Sequence, residues 1–244
     1  VVRAFKSRNE IAAVTGDGVN DAPALKKADI GVAMGITGTE VSKEAAVMIL
    51  TDDNFATIVK AIEYGRALYD NLSKYIRFQM ALLVGFIACS LGATLLNIAA
   101  GAPFTPRVIL FINFAIHVPL ALALSNSRPS PGLMERKPRP LSRPVLTRAQ
   151  WMRILFLGLA MAAGTLYVRA TYASDGEAVA ATMAFAVFSL FSVALALSAR
   201  DETGTVFNRD VFSERGEVRL YGLAVLLTFF ASELNVFQRI LGLA

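Results

Sequence analysis

A chain of 244 residues that is 55% hydrophobic and 18% charged, with a mean hydropathy of +0.52, is too apolar for an ordinary soluble domain, and most of it is expected to lie in lipid. The formal charge of +5 does not point to nucleic acid, because the basic residues form no stripe interleaved with stacking aromatics. One cysteine, Cys89, excludes an intrachain disulfide and, set in an apolar run, reads as a small core residue.

In chain order, residues 1–5 look like the middle of a helix, with neither an initiating Met nor a signal peptide, so the chain is expected to be a piece of a longer one. Residues 11–14 are a short apolar run suited to a buried strand. It ends at Thr15-Gly16 with Asp17 at the carboxyl end, where open α/β sheets place ligands. Gly16 and Gly18 permit a sharp turn and close approach of a ligand to the backbone. Asp21, followed by Pro23 in the first helical turn, makes a helix start whose amino terminus points back at the same spot. Two carboxylates and the Asn20 carboxamide therefore converge on one turn. Such hard oxygen donors suit Mg²⁺, which prefers one or two carboxylates plus water and substrate phosphate. The alternative is a Gly-Asp turn whose acids merely cap a helix.

A helix over residues 22–27, a strand over 30–33, a helix over 39–47 and a strand over 48–50 follow. Alternation of this kind argues for the last part of a parallel, helix-covered sheet, too short by itself to bury a self-sufficient core.

The run Thr15-Gly16-Asp17-Gly18-Val19-Asn20-Asp21-Ala22-Pro23-Ala24-Leu25, continued by Lys26-Lys27-Ala28-Asp29-Ile30-Gly31-Val32-Ala33-Met34-Gly35, by residues 37–46 and by Thr51-Asp52-Asp53-Asn54-Phe55, resembles the hinge segment of P-type cation-transporting ATPases, in particular the calcium-pump-like subgroup. Their phosphorylation domain is haloacid dehalogenase-like. The resemblance implies that Asp17 ligates Mg²⁺ beside an aspartyl phosphate, with Asn20 and Asp21 completing the hydrogen-bonded shell and Gly16 and Gly18 shaping it. The match is specific over about residues 1–80 and weaker, but continuous, beyond.

Asn54 can cap a helix whose periodicity runs through Ile58, Ile62, Leu68, Leu72 and Ile76 into an apolar stretch at residues 80–100. A single helix of about 40 residues would reach roughly 60 Å, twice the hydrocarbon thickness, and would act as a rod tying the Asp17 unit to the membrane. The alternative is two helices broken near Gly65 or Asn71. The predicted architecture is thus mixed: a partial α/β haloacid dehalogenase-like domain over residues 1–53, then an α-helical multi-pass transmembrane bundle over 54–244. Spans fall at about 75–99, 108–125, 152–172, 178–198 and 219–237.

The connections set the orientation. Residues 126–147 are rich in arginine and proline with Glu135 the sole acid, which places that loop in the cytoplasm by the positive-inside rule; the acidic Ser174-Asp175-Gly176-Glu177 turn suits the far side. The amino-terminal part is then cytoplasmic and the protein multi-pass in the cell membrane. The mixed-charge stretch 200–219 reads as a solvated connection. In the resembled family six membrane helices follow the hinge, and the sixth is missing here.

Polar residues inside a membrane are the default candidates for an ion path. Asn113 and His117 are four apart, hence on one helical face, and Pro119 frees a backbone carbonyl. Calcium pumps of the resembled family have an unwound helix here with Asn at the place of Asn113, but their next acidic ligand falls on His117, and the third-last helix offers Ser189 and Ser192 without carboxylate. A dehydrated divalent cation needs several charged oxygens, so the calcium analogy stops at this point. His117 would be a titrating residue, a soft metal ligand, or a histidine bonded to a carbonyl opened by Pro119.

The resemblance implies an ATP-driven cation pump with an aspartyl-phosphate intermediate. This chain would supply the Mg²⁺ hinge and part of the ion path, in partnership with the lipid bilayer, the transported cation and the remaining portion of the pump, which would bind ATP, with no role for nucleic acid. The family's Asp-Lys-Thr-Gly-Thr phosphorylation motif does not occur here, so the chain alone is expected to be inactive. The competing reading is a non-catalytic or degenerate membrane module. A third, a membrane-anchored phosphatase, would need a nucleophilic Asp strand that this chain lacks.

Overall fold

The computed structural model describes residues 1–128, 132–140, 142–200 and 214–243. They form two compact units, Val1–Arg66 and Ala67–Ala244.

The first unit opens with helix α1 (Val2–Lys6) and continues as β1 (Ala13–Gly16), α2 (Ala22–Lys27), β2 (Ile30–Met34), α3 (Glu40–Ala45) and β3 (Met48–Leu50). The strands make one parallel sheet in the order β1-β2-β3, with Thr15 beside Val32 and Val32 beside Met48. β1 starts two residues later than the apolar run suggests. The amide of Ala12 is taken by the Asp29 carboxylate at 3.0 Å, and its carbonyl is shared between the amides of Asp29 at 3.0 Å and Ile30 at 3.3 Å. Lys6 lies 3.0 Å from the other oxygen of Asp29, and these contacts hold its carboxyl below the usual range, the Ala12 amide first. α3 stops at Ala45 because Ala46 is extended and the Val47 amide already donates to Gly31. Its amino terminus is capped by Thr39, whose hydroxyl accepts from the Ser42 amide. Val32, Met34 and Leu50 form the core of this unit, and Ile58, in the next helix, packs against them. The unit therefore reaches past residue 53 into that helix.

Helix α4 runs unbroken from Phe55 to Leu95, passing both Gly65 and Asn71. Its start is fixed by short polar side chains: the Ala56 amide donates to Asn54, and the Thr57 hydroxyl donates to Asp52 at 2.6 Å. At its far end Asn97 is left-handed, which stops the helix short of residue 99.

In the second unit α4 is followed by α5 (Pro106–Phe111), a π-helical stretch (Ile112–His117), α6 (Val118–Ser125), α7 (Arg148–Thr171), α8 (Glu177–Arg200), α9 (Arg215–Glu233) and α10 (Asn235–Leu241). Among the described residues four helical segments are long and apolar enough to cross a bilayer, and α9 with α10 would make a fifth. Phe78, Leu82, Ile112, Ile116, Phe185 and Phe188 lead the core, which also contains Cys89. α4 and α7 approach closely at Gly158, where an added Cβ would lie 2.9 Å from the Ala81 carbonyl oxygen. Small residues at such crossings are a usual basis of helix packing in lipid.

Two expectations change here. The last span is not one rod over 219–237: α9 starts earlier, ends at Glu233, and meets α10 at 83°. Leu234 is extended, and the Gln238 side chain donates to the Ser232 carbonyl at 2.7 Å, satisfying an acceptor that the break releases. Glu233 thus sits at a corner. The stretch 200–219 is also not simply a solvated connection. Residues 201–213 lie outside the described residues, but at its ends Arg200 and Glu217 pair at 3.0 Å, with Glu217 only 4% exposed. Burial of Glu217 makes loss of its partner costly. Neighbouring polar contacts at the same end of the bundle join Asn71 to the Ser125 and Ser127 carbonyls, Lys74 to Asn71, and Arg136 to Asp70.

Candidate functional site

β1 delivers Asp17 to the carboxyl edge of the sheet, and its side chain is exposed there. Gly16 is required immediately before it, because a Cβ at that position would lie 2.4 Å from the Cβ of Asp21. Gly18 is different: at φ −99°, ψ 164° it adopts an ordinary extended conformation and makes no demand for glycine.

Asp21 ends the short 3₁₀ turn Val19–Asp21 and precedes α2, but its side chain does not cap that helix as the sequence suggests. Its Oδ2 instead accepts from the amides of Asp17 at 3.2 Å and Gly18 at 3.1 Å. The carboxylate bends back because Gly16 leaves room for it. The carbonyl of Asp17 is held from the other side by the Thr39 amide at 2.8 Å and the Ser42 hydroxyl at 3.1 Å. Asp17 is therefore braced through its main chain from two directions while its carboxylate stays accessible. Asn20 is also exposed on the same turn.

A neighbouring element was not singled out by chemistry in the sequence. Asp53, just after β3 and left-handed at φ 49°, accepts from the amides of Gly35 (2.6 Å), Ile36 (3.0 Å) and Thr37 (2.8 Å) and from the Thr37 hydroxyl (2.8 Å). It clamps the loop that leaves the carboxyl end of β2. Partial desolvation works against its ionisation, but the Ile36 and Thr37 amides, the Thr37 hydroxyl and the Gly35 amide outweigh it and hold the carboxyl at about 2. The signal for it was the Asp-Asp-Asn string between a strand and a helix, which is rich in turn-forming side chains.

The donor set at the turn agrees with Mg²⁺. Among the described residues no group of three or more His, Cys, Asp or Glu side chains converges, which leaves one exposed carboxylate, a braced second one and a carboxamide. Mg²⁺ keeps several waters and takes one or two carboxylates, so it is the metal these residues suit.

The polar residues of the membrane unit separate where the sequence puts them together. Asn113 is exposed and folds back to donate to the Ile109 carbonyl at 2.8 Å, whereas His117 is buried. The shared face assumed α-helical spacing, but Ile112–His117 is π-helical, with bonds closing five residues apart, so residues four apart no longer stack. The stretch immediately precedes Pro119, which has no N–H to give and crowds the carbonyl one turn back. The chain answers by widening the helix rather than unwinding it. His117 Nε2 lies 3.1 Å from the Ser192 hydroxyl of α8, and that hydroxyl donates to the Phe188 carbonyl at 2.9 Å. With the hydroxyl proton committed, the ring nitrogen is the donor of the pair. Phe78, Phe86 and Phe188 surround the imidazole with centroids 6.0–6.5 Å away. The partner of His117 is thus a serine from another helix and not a carbonyl opened by Pro119.

Residues 101–244 match the family model described as cation transporting ATPase, C-terminus, and residues 2–62 match that of haloacid dehalogenase-like hydrolase. The chain belongs to the cation-transporting P-type ATPases. It is 39% identical to calcium-transporting ATPase 1 of Schizosaccharomyces pombe, over 98% of this chain and 27% of that protein. It is 42% identical to a calcium-transporting ATPase of Bacillus subtilis over 87% of this chain and 24% of that protein. To the human calcium-transporting ATPase type 2C member 1 it is 38% identical, over 88% of this chain and 23% of that protein. The chain thus spans about a quarter of the length of these relatives.

Proposed function

We propose that this chain forms the carboxyl-terminal part of an ATP-driven cation pump that passes through an aspartyl phosphate, with Asp17 as the Mg²⁺ ligand of the phosphorylation site. The observation that carries the reading is the exposed Asp17 carboxylate, braced by Asp21 at the carboxyl edge of a parallel sheet, in a chain that goes on into apolar helices. Bound Mg²⁺ supplies charge that offsets the negative phosphoryl oxygens during transfer. Asp17 would hold the ion, Asp21 would fix the Asp17 and Gly18 amides so that the carboxylate is presented at one angle, and Asn20 would bond to the same shell. The nucleophilic Asp belongs to the family's Asp-Lys-Thr-Gly-Thr motif, which this chain does not contain. The basic connection at 126–147 supports an orientation with that loop and the Asp17 unit in the cytoplasm.

The relatives named as calcium-transporting make Ca²⁺ the first cation to test. A second reading, a membrane module that keeps the fold without transport, draws support from the interior of the bundle. Among the described residues the buried polar groups of its middle include His117, Thr165, Ser189, Ser192 and Thr228, and the buried carboxylate Glu217 pairs with Arg200 at the end of the bundle instead.

The test is phosphoenzyme formation from labelled ATP in the full-length protein. A pump gives acid-stable, hydroxylamine-sensitive phosphoprotein whose level depends on Mg²⁺ and on Asp17. A folded full-length protein that forms no phosphoenzyme would establish the second reading.

A further inference from the structure

Three loops leave the carboxyl edge of the first unit's sheet, one after each strand, and hydrogen bonds join them in a row. Asp53 lies just after β3, Gly35–Thr39 follows β2, and Asp17 follows β1. Met34 beside Leu50 is the last pair of the β2–β3 ladder. Gly35 still reaches the Leu50 carbonyl at 2.8 Å, but Ile36 and Thr37 lie beyond the ladder. Asp53 takes their amides instead: Oδ1 accepts from Gly35 and Ile36, and Oδ2 accepts from the Thr37 amide and hydroxyl. The loop then folds tightly at Gly38, where an added Cβ would lie 2.0 Å from the Met34 carbonyl oxygen. That fold brings Thr39 to the Asp17 carbonyl, to which its amide donates at 2.8 Å. The fully buried Ser42 hydroxyl reaches the same carbonyl at 3.1 Å and the Thr39 carbonyl at 2.7 Å. The neighbours of Asp53 are engaged elsewhere. Asp52 accepts from the Thr57 hydroxyl and the Asn54 amide, and Asn54 accepts from the Ala56 amide, all at the start of α4.

We infer that Asp53 is a positioning residue for Mg²⁺: it fixes the loop after β2, that loop fixes the Asp17 main chain through Thr39 and Ser42, and the Asp17 carboxylate is thereby held at the angle the ion needs. The inference rests on the reading of Asp17 as the Mg²⁺ ligand and extends it to a residue that does not touch the ion. Groups that orient a metal ligand in this way commonly account for about ten- to a hundredfold in metal affinity. Four donors on its two oxygens keep Asp53 ionised, so the clamp is intact throughout the neutral range. Its left-handed backbone, at φ 49°, aims the side chain back over the sheet edge at a conformational cost that these four bonds offset.

Mn²⁺ shares the preference of Mg²⁺ for oxygen ligands, and its binding to the full-length protein in the presence of inorganic phosphate can be followed by electron paramagnetic resonance. Asp53→Gly removes the carboxylate, suits the left-handed backbone, and should weaken Mn²⁺ binding about tenfold. Asp53→Asn keeps one acceptor oxygen and should restore part of that loss. Asp52→Ala, which disturbs the start of α4, should bind as wild type does, separating positioning from a general loss of stability. Ser42→Ala should weaken binding too, and combined with Asp53→Gly it should give less than the product of the two losses, since both act on the same carbonyl. Wild-type affinity in Asp53→Gly would overturn the inference. So would equal losses in Asp53→Gly and Asp53→Asn, a loss of the same size in Asp52→Ala, or losses that multiply. Asp17→Asn measured beside them isolates the parent reading. If it binds Mn²⁺ as wild type does, the assignment of Asp17 falls and this inference with it; a loss there with none in Asp53→Gly removes the inference alone.

Discussion

The two units hold their polar side chains by opposite means. In the Val1–Arg66 unit the important contacts run from carboxylates to backbone amides only a few to some twenty residues away: Asp21 to Asp17 and Gly18, Asp53 to Gly35–Thr37, Asp29 to Ala12. In the Ala67–Ala244 unit they run between helices distant in sequence: Asn71 to Ser127, His117 to Ser192, Arg77 to Ala199. A turn beside water can turn a carboxylate onto local amides at little desolvation cost, whereas in the bundle hydroxyls bond back to carbonyls of their own helix, as Ser192 does to Phe188, and the longer polar side chains reach another segment. The first arrangement yields a fixed turn with an accessible charge, and the second a packed bundle with few.

Substitutions in each unit test that contrast. The largest effect belongs to Asp17→Asn in the full-length protein, which under the proposed function should reduce ATPase activity by on the order of a hundredfold or more, because the charge that would hold Mg²⁺ is lost. Because both amides bond to one oxygen of Asp21, Asp21→Asn keeps an acceptor for them and should cost less than Asp21→Ala. Equal loss in those two variants would show that Asp21 acts by its charge rather than as a brace.

Next come Gly16→Ala and Gly158→Ala, one in each unit. Each forces a Cβ into an occupied space, against Asp21 in the first and Val84 and the Ala81 carbonyl in the second. Each should destabilise its own unit by about 1–3 kcal/mol. Thermal unfolding followed separately for the two units should move only the unit that carries the change.

Ser192→Ala should cost about 1–2 kcal/mol by leaving the buried His117 ring without its partner. Cation-stimulated ATPase activity measured on the same protein distinguishes a structural bond, where activity is kept at permissive temperature, from a group in the ion path.

The pH dependence of the first unit follows from Asp53. Its carboxyl is depressed from 3.8 to about 2, so its contribution is complete above pH 4, declines as pH falls from there, and is gone below pH 2. The stability difference between wild type and Asp53→Asn should therefore close over that interval. A difference that persists at pH 2 would trace the clamp to shape and not to charge. The smallest effect is expected for Asn113→Ala, within about 0.5 kcal/mol, since its bond is exposed and local.

Features that depend on near neighbours and on composition can be read from the chain alone. The parallel strands, the helix Ala22–Lys27, the apolar helices and the convergence of Asp17 and Asp21 on one turn were all legible, because turn residues and hydrophobic runs report directly on local backbone and solvent. The continuity of α4 was a choice between two patterns, resolved by a helix in which Asn71, a residue that could have broken it, is bonded to the Ser125 and Ser127 carbonyls at the end of α6. Where each polar side chain places its hydrogen bonds emerges with packing. Asp21 was read as a helix cap and is a brace for the residues before it. Asn113 and His117 were read onto one face until a π-helical stretch ahead of Pro119 changed the spacing. The corner at Leu234 and the Arg200–Glu217 pair were invisible, because both depend on groups that no periodicity links. Hydrophobic periodicity records which face of an element is buried; it carries no information about which distant donor meets which acceptor once the faces have met.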